Sequence, residues 1–166
     1  LIACGGAALT LLGHKESTKD VDFLVPNEEE FRRLVQFLKH AGYVQATPYG
    51  WKRAVERIIF DLYPGKRVYT TELLSSPLVK GGNKKIREWK KIYLGVLNPM
   101  DLVISKMFRG SGTDIEDSLV LIQKERIDLK SLERRYQETA KYEVSEHRVL
   151  RNLEVLLNRF KKVKKP

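Results

Sequence analysis

One cysteine in 166 residues, Cys4, already excludes several classes of protein. A lone thiol closes no internal disulfide and cannot build a cysteine-based zinc site. It sits in an apolar run and reads as a buried, inert side chain, an economy that fits a reducing cytoplasm. Also missing is any stretch of about 18 uninterrupted apolar residues, so no membrane-spanning helix is expected. The apolar opening Leu1–Gly13 is short, holds Gly5 and Gly6 and lacks a basic leader, which argues against a signal peptide. The chain begins on Leu rather than Met and so reads as a fragment, or as a chain lacking a few residues. His14, His40 and His147 are scattered without ligand spacing and read as surface or helix-end side chains. There is no internal repeat, and no low-complexity segment apart from a basic tail.

What is present is an ordinary globular composition, 42% apolar and 31% charged. The length suits one good-sized core, or a compact domain with a helical annex. The formal net charge is +10. Its excess gathers in Lys80, Lys84, Lys85, Arg87, Lys90 and Lys91, and again in Lys161, Lys162, Lys164 and Lys165. Such a surface attracts polyanions, RNA, DNA or nucleotides; the alternative is a solvated, lysine-rich face.

Along the chain, Leu1–Cys4 reads as a buried strand and Gly5-Gly6 as a tight turn into a short helix, Ala7–Leu12. Val21–Val25 is a second strand ended by Pro26, and Asn27 caps a helix whose first turn holds Glu28, Glu29 and Glu30. Tyr43–Gln45, Arg57–Tyr63, Ile86–Trp89 and Ile92–Val96 are further strands. At Asn98-Pro99 the pattern changes to helix, because Asn caps and Pro suits the first helical position. Pro99–Phe108, Asp114–Gln123, Leu129–Lys141 and Ser145–Phe160 follow, the last with an apolar stripe of Leu150, Leu153, Leu157 and Phe160. That stripe packs internally or forms a homodimer. The expected architecture is an α/β (α+β) domain over 1–97 followed by a helical domain over 98–166.

The chemistry centres on Asp20 and Asp22. On a strand, alternate residues share a face, which sets these two carboxylates about 7 Å apart and aims them at one spot. Two such groups repel each other unless a cation lies between them, and hard oxygen ligands suit Mg²⁺. Gly5-Gly6 brings bare backbone N–H groups and a helix start close to where a triphosphate would lie. Asp61 is an acid in an otherwise apolar strand, costly to bury without a partner. If that strand lies beside Val21–Val25, Asp61 completes a triad that binds a second metal and helps deprotonate an attacking hydroxyl. Trp51 and Trp89 flank basic residues, which suits either base stacking or packing on the sheet.

Gly5-Gly6-Ala7, followed by Gly13-His14-Lys15-Glu16-Ser17-Thr18-Lys19-Asp20-Val21-Asp22, resembles the signature of the polymerase-β-type nucleotidyltransferase superfamily. It is most similar to the small Gly-Gly…Thr-x-Asp-x-Asp branch, which includes abortive-infection-type toxins. Pro99, Leu102 and Lys106 resemble that family's "P-x-x-L-x-x-x-K" stretch, and Arg109, Asp114 and Asp117 its later "R…D…D" helix. The resemblance implies a minimal mixed sheet flanked by helices, then a C-terminal helical domain. It implies that Asp20, Asp22 and Asp61 bind two magnesium ions, and that Gly5 and Gly6 cradle phosphate. Thr18 and Lys19 would border the nucleotide and Lys106 would reach the phosphates. Two positions depart from the commoner pattern: Gly6 replaces a serine, and Lys15-Glu16 stands where relatives often carry two basic residues.

The reading that follows is transfer of a nucleoside monophosphate from an NTP to an acceptor hydroxyl. RNA, plausibly tRNA, is the expected acceptor through the basic surface; a protein or a small hydroxylated molecule is the alternative. Gly6 and Glu16 motivate another reading, a non-catalytic nucleotide- or RNA-binding module on the same fold. A third is a toxin held in check by an antitoxin partner.

Overall fold

The computed structural model describes residues 1–54 and 56–163, so Lys164 and Lys165 of the basic tail lie outside the described residues. In chain order the elements are β1 (Ile2–Cys4), α1 (Gly5–Leu11), β2 (Asp20–Val25), α2 (Glu28–His40), β3 (Val44–Gln45) and β4 (Gly50–Lys52). They continue with β5 (Ile59–Pro64), β6 (Arg67–Val68), β7 (Thr71–Glu72), β8 (Asn83–Glu88) and β9 (Tyr93–Leu97). The last four are α3 (Pro99–Arg109), α4 (Gly112–Lys124), α5 (Leu129–Ala140) and α6 (Glu146–Val163). The fold is α+β, with a seven-stranded mixed sheet among the described residues. Two compact units divide the chain: Leu1–Val68 with Ser75–Asn98, and Tyr69–Leu74 with Pro99–Pro166.

In the first unit the sheet order is β3-β4-β5-β2-β1-β9-β8. β2 runs parallel to β5 and β1 parallel to β9; the remaining neighbours are antiparallel. A parallel pair needs a long crossover, which α2, β3 and β4 provide between β2 and β5. Ile2, Ala3 and Cys4 are all fully buried, as a strand covered on both faces requires. Cys4 is thus the inert core thiol expected of it. Pro26, which has no N–H to continue a ladder, stands between β2 and α2. Asn27 then caps α2, its side chain accepting from the Glu29 and Glu30 amides at 2.9 and 3.0 Å.

Several boundaries differ from the sequence expectation, each for a local reason. α1 begins at Gly5, not Ala7; Gly5 takes φ +56°, which glycine adopts without strain, so the turn and the helix start are one feature. β2 begins at Asp20, so both acids lie within the strand. β4 was not anticipated: three residues are too few to show a period. Its Trp51 is 4% exposed and packs in the core. β8 ends at Glu88, which leaves Trp89 in the turn, its amide donating to the Ile92 carbonyl at 2.8 Å.

The helical unit buries Leu102, Ile104, Met107 and Phe108 of α3 against the later helices. Tyr136 of α5 lies edge-on to Phe108 with ring centres 5.1 Å apart, and its hydroxyl donates to the Val149 carbonyl at 2.8 Å. Burial pushes that phenol well above its ordinary range. On α6 the buried stripe is Val149, Leu153, Leu156 and Phe160. Leu150 and Leu157 are only partly covered, so the core face is rotated from the one expected, and Val149 supplies the carbonyl that Tyr136 needs. No helix of the described residues is long and apolar enough to cross a membrane.

One buried charge in this unit gives a measurable consequence. Asp101 is 3% exposed and accepts from Arg135 Nε at 2.7 Å and Nη2 at 2.9 Å. Removing one member of a buried pair leaves the other charge in a poor dielectric, typically at a cost of about 3–5 kcal/mol. Arg135→Ala is therefore expected to destabilise by about that amount. Urea melts measure it, and a loss under about 1 kcal/mol would show that water reaches Asp101.

Candidate functional site

The register of β2 against β5 sets Asp22 directly opposite Asp61 and Asp20 opposite Ile59. Side chains alternate along a strand, so Asp20, Asp22 and Asp61 share one face of the sheet on two adjacent strands. Asp20 is exposed; Asp22 and Asp61 are half-buried. Burial raises the Asp61 carboxyl above its ordinary value, and the negative charge of Asp20 raises it further. Like charges at close quarters on a half-buried surface are what a bound cation relieves.

Among the described residues, no three acids, histidines or cysteines already close around one point as a formed metal centre. The donor set is nonetheless selective. It is all carboxylate oxygen, which suits a hard cation such as Mg²⁺ and not a thiolate- or imidazole-seeking metal.

Glycines make the room that these acids occupy. A Cβ on Gly5 would lie 2.0 Å from Asp22 Oδ2, so the Asp22 carboxylate rests directly on the first residue of α1. A Cβ on Gly6 would lie 2.5 Å from Thr18 Oγ1. The Thr18 hydroxyl donates to the Asp20 carbonyl at 2.9 Å and ties the loop to the start of β2. The serine of the commoner pattern therefore has no space at position 6 unless Thr18 moves, which gives the Gly6 departure a physical reason.

On the other side, Gly50 of β4 pairs with Asp61. A Cβ there would lie 2.5 Å from Thr47 Oγ1 and 2.9 Å from Asp61 Oδ1. Thr47 Oγ1 also accepts from the Gly50 amide at 2.7 Å. Sequence reasoning missed Thr47 and Gly50 because β4 itself was not visible; a glycine just before a tryptophan was the one available signal. Gly50 has no positive φ, so Gly50→Ala is expected to act by overpacking alone. The expected loss is about 1–3 kcal/mol, read from denaturant melts; an unchanged midpoint would mean that Thr47 and Asp61 yield freely.

Lys19 is exposed, between Thr18 and Asp20. Lys106 belongs to the helical unit, where it is 4% exposed. Its ammonium lies 2.7 Å from Asp117 Oδ2 and 3.8 Å from Asp114 Oδ1. Asp114 also forms a capping box with Ser111 and takes a two-point contact from Arg109. Burial pushes the Asp114 carboxyl up, but Arg109 and Ser111 outweigh it and hold the group below its ordinary value. Buried Lys106 and Asp114, partly covered Asp117 and the exposed Arg109 thus form one ion network that joins α3 to α4.

No curated protein gives a significant match to the chain. Residues 84–165 match the model of a family described as "Nucleotidyltransferase of unknown function (DUF6036)". The matched segment covers β8 from its second residue, β9 and the helices α3 to α6, and contains none of Asp20, Asp22 or Asp61. The match supports a nucleotidyltransferase family for this chain, on residues separate from those that carry the acids.

Proposed function

We propose that the protein transfers a nucleoside monophosphate from an NTP to an acceptor hydroxyl, with RNA as the acceptor class. The observation that carries this reading is the shared face of Asp20, Asp22 and Asp61, set against Gly5 at the start of α1. Asp20, Asp22 and Asp61 would hold magnesium, which when bound supplies positive charge to the triphosphate and acidity to the acceptor hydroxyl. Gly5 and Gly6, free of side chains, let phosphate oxygens approach backbone N–H groups. Thr18 and Lys19 border the nucleotide. The acceptor oxygen bonds to the α-phosphorus, the bond from that phosphorus to the bridging oxygen breaks, and pyrophosphate leaves. Asp61 takes the proton from the acceptor.

The test is incubation with each α-labelled NTP, Mg²⁺ and total RNA, reading which pool becomes labelled. Label in RNA that depends on Asp20 and Asp22 supports the reading; label that survives their loss overturns it.

A second reading is favoured by Gly6, which supplies no hydroxyl, and by Glu16, which stands where a second basic residue would meet the triphosphate. It is a module that binds nucleotide without turning it over. The same incubation separates the two, because this reading gives NTP affinity and no labelled product.

A further inference from the structure

β8 is the last strand of the sheet, and Lys84–Glu88 are exposed along its length. Edge strands commonly carry lysine to block pairing with another chain, and that function alone would explain Lys84 and Lys85. It leaves three features unexplained. A bulge between Lys85 and Arg87 sets Lys84 opposite Val96 and Arg87 opposite Leu94. Val96 and Leu94 lie two apart on β9, so the bulge moves Arg87 to the face of Lys84. Lys85, by contrast, is spent on an ion pair with Glu88.

The turn into β9 then presents Trp89, 46% exposed, and Ile92, 50% exposed, with Lys90 and Lys91 between them. An indole and an isoleucine at an exposed loop tip do nothing for edge protection. Third, the Arg87 guanidinium lies over the Trp89 ring, 5.0 Å from its centre. A cation thus covers one face of the ring. A groove of about 700 Å³ beside the tip, with Leu34, Trp89, Lys90 and Lys91 but also the carboxylates of Glu30 and Glu88 among its lining, is of a size to take a nucleotide.

We propose that the β8–β9 hairpin is a docking surface for single-stranded RNA. Trp89, backed by Arg87, stacks on an unpaired base, and Lys84, Lys90 and Lys91 meet the flanking phosphates. Base stacking on an aromatic ring needs bases that are not already paired, and single-stranded loops and ends of RNA offer them. An anionic membrane surface is the competing partner for a tip of tryptophan and lysine. It would call for a broader apolar face than Ile86, Trp89 and Ile92 offer, and for cations gathered at the tip, whereas here they also run back along the strand to Lys84. This inference rests on the reading above only in making the bound RNA the carrier of the acceptor hydroxyl.

The experiment reads binding without turnover, so it can fail while transfer succeeds, and the reverse. Trp51→Phe leaves Trp89 as the only tryptophan, and its emission is followed during titration with an unstructured RNA oligonucleotide, the matching deoxyoligonucleotide, heparin and anionic lipid vesicles. RNA is expected to quench Trp89 and to bind more weakly as salt rises. Heparin, which has no bases, is expected to bind without quenching. In the parent chain, Trp89→Ala should weaken RNA binding by on the order of tenfold and leave heparin binding unchanged. Lys84→Ala, Lys90→Ala and Lys91→Ala together should flatten the salt dependence for both polyanions. RNA binding retained in Asp20→Ala/Asp22→Ala would show that the surface is separate from the acids, as proposed. The proposal is overturned if RNA leaves Trp89 unquenched, if Trp89→Ala binds RNA as the parent does, or if vesicles or the deoxyoligonucleotide bind more tightly than RNA.

Discussion

Alanine at both Asp20 and Asp22 is expected to lower NTP-dependent labelling of acceptor by roughly a thousandfold or more, while the chain stays folded. The two halves of that expectation have separate causes. Activity falls because two of the three carboxylates that would hold the cation are gone, and Asp61 alone of the three remains. Stability holds because Asp20 is exposed and Asp22 half-buried, and because removing them relieves repulsion. The sign of the stability change can be worked out from Asp61. Its carboxyl is raised in the folded chain, so the folded state keeps a proton that the unfolded chain has already released. Stability is therefore lost as pH rises from the ordinary carboxylate range through the raised value. Asp20 is the lesser of the two causes of that rise, after burial. Asp20→Ala should thus stabilise the chain near pH 7, and the gain should vanish below about pH 3.9, where Asp61 is protonated in both states. Urea melts in the presence of a chelator measure this. A stability gain equal at both pH values would show that Asp20 acts through packing and not through charge.

The features legible in the sequence were those whose cause is local. Asn27 with three glutamates after it could be read as a cap because the capping contacts reach only two or three residues ahead. The helices after Pro99 were legible because ten or more residues of one period average out local exceptions. Asp20 and Asp22 were set on one face by alternation alone. That Asp61 shares their face depends on which strand lies beside β2 and in what register, and no local pattern carries that. β4, with Thr47 and Gly50, was hidden for a simpler reason: a three-residue strand has no period to detect. The bulge in β8 was hidden too: the strand expected over Ile86–Trp89 leaves out Lys84 and Lys85, and only the pairing with β9 shows one residue too many. Nor could a helical stripe be fixed to within one residue by hydrophobicity when Val149, Leu150, Leu156 and Leu157 all compete for it. Tyr136, which needs the Val149 carbonyl, belongs to another helix.

Gly5→Ala is the substitution expected to cost most for the fewest atoms, and the two contributions to its cost can be pulled apart. Gly5 has φ +56°, where a side-chain-bearing residue is strained by about 1–3 kcal/mol. Its new Cβ would also stand 2.0 Å from Asp22 Oδ2 and 2.8 Å from Asp22 Cγ. That is no contact at all, so Asp22 must rotate away or β1 and β2 must part at the Cys4–Asp22 pair. If Asp22 rotates, stability falls by the backbone strain alone, yet activity is lost because the carboxylate has left the face it shares with Asp20 and Asp61. If the strands part, an overpacking cost of about 1–3 kcal/mol is added to the strain. Adding Asp22→Ala to Gly5→Ala decides between them. In the second case the double variant recovers the overpacking cost, and the two changes are strongly non-additive in stability. In the first the double variant melts as Gly5→Ala does, corrected for whatever Asp22→Ala does by itself. If Asp22 rotates, Gly5→Ala loses transfer to within about tenfold of Asp22→Ala; if the strands part, Asp22 stays opposite Asp61 on β5 and transfer is largely kept. A Gly5→Ala chain that the stability cycle assigns to rotation of Asp22, yet that transferred nucleotide at the parent rate, would show that Asp22 need not face Asp61, and the carboxylate site would have to be abandoned.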